Sequence, residues 1–147
     1  MAGESAAPAQ RSERVEIVRD VVVLRLPADG AYLSVLRTAT AGLASRLDFT
    51  LDDIEDLRIA VDEACAMLLS HAVPGADLTC EFELHAGLLR VAVSVQTSDG
   101  EQPSRDTFAW TVLSALAGEV DSSVDDDQRV TITLLKRRID AEGTSAA

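Results

Sequence analysis

Two hydrophobic periods share this chain, and the switches between them mark out its elements. Val21-Val22-Val23-Leu24-Arg25-Leu26 is an apolar, β-branched run stopped by Pro27, which predicts a strand. After Asp29-Gly30, apolar groups recur at Leu33, Leu36, Thr40 (by its methyl), Leu43 and Leu47, the spacing of one helix face. The next helix has the fullest local signals. Thr50 is a good N-cap, Asp53 makes a short version of a capping box, and Phe49 can pack on Ile54 as a hydrophobic staple. Asp52, Asp53, Glu55 and Asp56 sit at the positive end of the helix dipole. Ile54, Leu57, Val61, Ala64 and Leu68 form its buried stripe, and Pro74-Gly75 ends it.

The period then drops to two. Cys80, Phe82 and Leu84 alternate with Glu81, Glu83 and His85; after Ala86-Gly87, Leu89, Val91, Val93 and Val95 alternate with polar or small residues. This predicts a hairpin with one face buried. Ser98 to Asp106 is a polar loop, and Phe108 to Ala117 a short apolar helix. Glu119–Val124 and Arg129–Leu135 suggest a last hairpin across Asp125-Asp126-Asp127, with Val130, Ile132 and Leu134 on one face. The order is strand, helix, helix, strand, strand, helix, strand, strand. One sheet covered on one face by about three helices is the economical packing. The expected class is α/β in the form of an α+β two-layer sandwich, with a mixed, mostly antiparallel sheet.

Composition sharpens this picture. The 147 residues fit one domain, expected over 15–138 between disordered tails at 1–14 and 139–147. Hydrophobic residues make up 47% and aromatics only 3%, so the core must be built from Leu, Val, Ile and Ala. The net charge of -12 disfavours direct nucleic-acid binding and suits either basic protein partners or simple solubility. Cys65 and Cys80 fit no metal spacing and are expected to be reduced and buried, with a redox pair as the alternative. No signal peptide or membrane span is legible, so a cytoplasmic location is expected.

The stretch Ala60-Val61-Asp62-Glu63-Ala64-Cys65-Ala66-Met67-Leu68-Leu69-Ser70-His71 resembles the first box of the GHKL ATPases, as found in RsbW-like bacterial anti-sigma factors. Glu63, Ala64 and His71 match that pattern. Upstream, Arg37, Leu47-Asp48 and Thr50 follow the family's order. Downstream, Phe108-Ala109-Trp110-Thr111-Val112-Leu113 and Thr131-Ile132-Thr133-Leu134 stand at the later boxes. The resemblance covers about residues 20–138 and implies partner switching. An anti-sigma homodimer holds an alternative sigma factor of the stress or sporulation type, and a STAS-type anti-anti-sigma protein displaces it. The family's enzymatic activity is ATP- and Mg²⁺-dependent phosphorylation of that protein on Ser or Thr.

Taken residue by residue, the resemblance implies that Glu63 is the general base and that Arg37 contacts both partners. Met67 stands where the family has its Mg²⁺-binding Asn, and a thioether cannot replace an amide oxygen on a hard cation. Thr97 stands at the adenine-reading Asp; with a slip of two, Asp99 could serve, although Asp99-Gly100 is equally a turn. Thr107 and Ala109 replace phosphate-binding glycines, and Arg129-Val130, beside Thr131, replaces a Gly-Thr pair. Arg129 could meet a phosphate or simply be solvated. Three readings follow: an anti-sigma binding protein with an eroded nucleotide site, an active kinase using Glu63, and an acidic adaptor unrelated to transcription.

Overall fold

The alternating segments all enter one sheet. In the computed structural model, which describes residues 20–138, the strands are β1 (Asp20–Pro27), β2 (Asp77–His85), β3 (Leu88–Gln96), β4 (Glu119–Val124) and β5 (Arg129–Arg137). Both expected tails, and residues 15–19 of the expected domain, lie outside the described residues. The sheet order is β1-β2-β3-β5-β4, and the sheet expected to be mixed is antiparallel at every pairing. Both expected hairpins form. Gly87, at φ +72°, supplies the left-handed turn between β2 and β3. Between β4 and β5 the Asp125 carboxylate accepts from the amides of Asp127 and Arg129, each at 2.9 Å.

Three helices, α1 (Leu33–Arg46), α2 (Leu51–Leu69) and α3 (Phe108–Ala117), cover one face. A 3-10 turn, Gly30–Tyr32, leads into α1, with Asp29 capping it through the Ala31 amide at 2.9 Å. Thr50 caps α2 as expected, accepting from the Asp53 amide at 3.1 Å. The Asp53 carboxylate does not close the box among the described hydrogen bonds; it reaches Lys136 of β5 at 3.7 Å instead. The side chain is one methylene shorter than Glu, and a half-buried ammonium competes for it. The core lies between the layers. Leu57, Val61, Ala64 and Leu68 of α2 meet Phe82, Val91, Val93, Ile132 and Leu134 of the sheet, all essentially inaccessible.

Both cysteines are free and buried, as expected. Burial, and secondarily the charge of Asp62, raises the Cys65 thiol to about 12. Burial, with smaller contributions from Cys65 and Glu81, pushes Cys80 higher still. Unfolding releases both thiols to ionise near their ordinary value of 9.0. Their stabilising contribution is complete below that pH and is lost as pH rises toward the folded values, because the unfolded chain then binds fewer protons. We therefore expect stability to fall by about 1.4 kcal/mol per pH unit per thiol above pH 9. Urea titrations at stepped pH check this. A Cys65→Ala variant with an undiminished slope would show that other groups carry it.

Candidate functional site

The end of α2 and the start of α3 diverge and leave a cleft of about 210 Å³, lined by Met67, Ser70, His71, Ser104, Thr107 and Ala109 together with Pro103. Local capping builds its walls. Thr107 is the N-cap of α3, accepting from the Trp110 amide at 3.1 Å and donating to the Ser104 carbonyl at 3.2 Å. Ser104 in turn accepts from the Asp106 amide at 3.2 Å, and Ser70 donates to the Met67 carbonyl at 2.8 Å. The cleft hydroxyls therefore serve their own backbone. Arg105 ties this loop down, lying 4.9 Å over the Trp110 ring and 2.7 Å from Asp121. Its hydrogen bond holds the exposed Asp121 carboxyl below the usual range.

Four of the residues singled out from sequence, Met67, His71, Thr107 and Ala109, meet in this cleft. Glu63 stands one helical turn before Met67 on the same face, half-buried, with no hydrogen bond or ion pair among the described residues. Thr97 is buried, and its hydroxyl is spent: it donates to the Gln128 carbonyl at 2.7 Å and accepts from the Gly100 amide at 2.8 Å. Gly100 has φ +68°, and a Cβ there would meet Gln128 at 3.2 Å, so the Asp99-Gly100 step is a turn. Asp99 caps that turn, accepting from the Glu101 amide at 3.0 Å. Thr131 does not join the cleft. It alternates with the buried Val130 and Ile132, and strand geometry puts it on the helix-free face. Arg129 points to that same face, donating to Ser94 at 3.2 Å and Thr79 at 3.0 Å.

On the other side of α2, Arg37 of α1 meets Asp62. One terminal nitrogen, Nη1, donates to both carboxylate oxygens, at 2.8 and 3.0 Å. Both side chains stay about one-third exposed. The guanidinium is thus held in place by Asp62 while staying partly exposed.

No family model matches the chain. Among curated proteins, a serine-protein kinase RsbW from Bacillus velezensis is 34% identical over 97 residues, covering 63% of this chain and 61% of that protein. The serine-protein kinase RsbW of Bacillus cereus is 33% identical over 87 residues, covering 58% and 50%. That of Halalkalibacterium halodurans is 33% identical over 90 residues, covering 60% and 54%. Over the aligned residues the chain is similar to RsbW. The aligned part spans about half to three-fifths of the length of these relatives. Among solved structures, the RsbU and RsbW domains of Rv1364c from Mycobacterium tuberculosis share its fold, with a TM-score of 0.65 and 16% identity over 81% of this chain and 32% of that one. The five-stranded sheet under three helices is the fold the two have in common.

The Met67 cleft is lined mostly by small side chains. It contains no carboxylate or side-chain amide, and Met67 packs partly against the core. Carboxylate and side-chain amide oxygens, the usual protein ligands of Mg²⁺, are therefore missing from these walls. At its mouth, His71, Asp99 and Glu101 bring one ligand atom each to within 4.8 Å of one another, all on exposed side chains. That set, an imidazole with two carboxylates, could hold a divalent ion. Sequence reading noted His71 and Asp99 singly and missed their convergence with Glu101. The loop 97–101 is brought to the helix end by the bridge between Ala72 and Thr97, a contact no local pattern announces. Asp62 was missed for the same reason, since its partner lies 25 residues away on another helix.

Proposed function

We propose that this RsbW-like chain is a cytoplasmic anti-sigma factor. It holds an alternative sigma factor through the outer face of α1 and α2 and releases it to a STAS-type anti-anti-sigma protein. Its nucleotide cleft no longer supports phosphoryl transfer. The observation that carries this reading is the contrast between two sides of α2. The Arg37–Asp62 pair is formed and positioned at the surface, while the cleft side has Met67 in a metal-ligand place and hydroxyls committed to their own backbone. Phosphoryl transfer depends almost wholly on positioning and charge stabilisation, so these losses fall where they cost most. A homodimer is part of the proposal. β1 is an edge strand with Val21 and Val23 at 50% and 55% exposure, a surface that native proteins rarely leave uncovered.

The test is co-purification with each alternative sigma factor of the source genome, with and without nucleotide. A complex is expected that forms without ATP. Capture that requires ATP, or no capture at all, would overturn the proposal. In parallel, Mg·ATP at millimolar concentration is expected to leave the melting temperature unchanged. An intact site filled at 100 times its dissociation constant would add about 2.7 kcal/mol.

One observation favours an active kinase instead. Glu63 has no partner among the described residues and stands one turn before the cleft residue Met67, and His71, Asp99 and Glu101 form a cation-capable group at the cleft mouth. Transfer of phosphate to the anti-anti-sigma partner, abolished by Glu63→Ala, would establish that reading.

A further inference from the structure

A second cleft lies elsewhere, on the helix-free side of the sheet. It has about 590 Å³ and is lined by Arg25, Asp77, Thr79, Gln96, Arg129 and the turn 73–76. That turn is a fixed wall. The Val73 amide donates to Gln96 at 3.0 Å, the Ala76 amide to Val73 at 3.1 Å, and the Ala28 amide to Ala76 at 3.0 Å. The two arginines converge on one residue. Arg25 of β1 is the direct cross-strand partner of Thr79, and Arg129 of β5 reaches over β3 to bond the Thr79 hydroxyl. Directly opposed residues of antiparallel strands lie about 5 Å apart, so both side chains border the same hydroxyl.

Their charge is not cancelled by a carboxylate among the described residues. The chain carries 25 acidic and 13 basic residues. Arg37, Arg58, Arg90, Arg105, Lys136 and Arg137 each meet a carboxylate within 4.0 Å. Arg25 and Arg129 meet none among the described residues, although acidic groups abound. Arg129 is instead fixed by neutral hydroxyls, Ser94 through Nε and Thr79 through Nη2, which orient it without cancelling its charge. Each hydroxyl accepts from Arg129 and so keeps its own proton to donate. Asp77, exposed at the rim, is the one acidic residue of the lining and leaves the cleft net positive.

We propose that this cleft is an oxyanion site for a phosphate monoester. Arg129 is its preset arm, Arg25 a flexible arm that closes on the ligand, and the Thr79 hydroxyl a donor between them. Guanidinium forks match phosphate oxygens, and the dianion gains from both charges at once. The site is separate from the Met67 cleft and does not depend on the anti-sigma reading.

The experiment titrates the purified chain with inorganic phosphate at constant ionic strength set by chloride, following the Arg Nε–H resonances by NMR. Saturable binding at millimolar phosphate is expected, with the Arg129 signal shifting. Arg25→Gln removes an exposed side chain with no bond to the fold among the described residues and should weaken binding about tenfold or more. Arg129→Gln should do the same, with circular dichroism checking its folding. Phosphoserine as a second ligand separates the sources. Equal affinity assigns recognition to the phosphate alone, and tighter binding to phosphate carried on a side chain. The proposal is overturned if phosphate does not saturate, if Arg25→Gln binds like the native chain, or if glutamate binds as well as phosphate. Arg25→Gln also keeps this site apart from any nucleotide response of the Met67 cleft, which it should leave intact.

Discussion

Exchanging the two members of the interhelical ion pair, as Arg37→Asp combined with Asp62→Arg, is expected to leave the protein folded and to abolish capture of its partner. The pair is about one-third exposed on each side, so its own contribution to stability is at most about 1 kcal/mol, and the swap preserves it. The docking face is not preserved. The guanidinium moves from α1 to α2, and a carboxylate takes the place where a partner carboxylate would meet a fork. Losing one half of a buried, hydrogen-bonded charge pair at an interface costs about 2–5 kcal/mol, or roughly 30-fold to several thousand-fold in affinity. Calorimetric titration with the sigma factor, beside a melting curve, reads both halves of the expectation. A swapped variant that folds and binds like the native chain would remove Arg37 from the interface. Asp62→Asn is the finer test: it frees the guanidinium without moving it, so lowered affinity there would show that Asp62 acts by positioning.

The largest effect on stability is expected at Phe82. It sits at the centre of β2, opposite Val22 on one neighbour and Val91 on the other, fully buried under the helices. Aromatic residues are few here, and three of them, Phe49, Phe82 and Trp110, supply the bulk that Leu, Val and Ala cannot. Phe82→Ala should cost about 3–5 kcal/mol, because the sheet cannot move in to fill the space. A domain of this kind has only about 5–15 kcal/mol in total, so the variant should melt far below the native chain or fail to fold. Phe82→Leu, which keeps most of the volume, should cost much less. Urea unfolding gives both values. A loss under about 1 kcal/mol for the alanine variant would mean that the core closes around the gap.

Much of the fold was legible without coordinates, and for a local reason. Period-two alternation in β2, β3 and β5 and the stripe of α2 each state which side is buried, and a hydrophobic face admits few partners. Thr50 capped α2, Thr107 capped α3, and Gly87 and Asp125 shaped the turns, all from neighbours within a few residues. Where a local signal met a distant competitor, it gave way. Asp53 left its capping role for Lys136, and the Thr97 hydroxyl turned to Gln128 and Gly100.

The candidate sites divide along the same line. The boxes around Glu63, Met67, Thr107 and Ala109 could be picked out from sequence because each is a short string, and helix spacing carries Glu63 and Met67 onto one face. Which strings share a cleft could not. Thr131 and Arg129 follow the same strand logic as their neighbours, yet only the position of the helices decides that this logic turns them away from Met67. Arg37 and Asp62, the group of His71, Asp99 and Glu101, and the pair Arg25 and Arg129 are all joined across 25 residues or more. Sequence by itself determined the elements, their buried faces and the likeness to RsbW, because periodicity, capping and short motifs act within a turn or two of chain. Tertiary structure alone decided which charges meet, because that depends on how helices and strands from distant segments are packed, and packing is set by the whole core rather than by any one stretch.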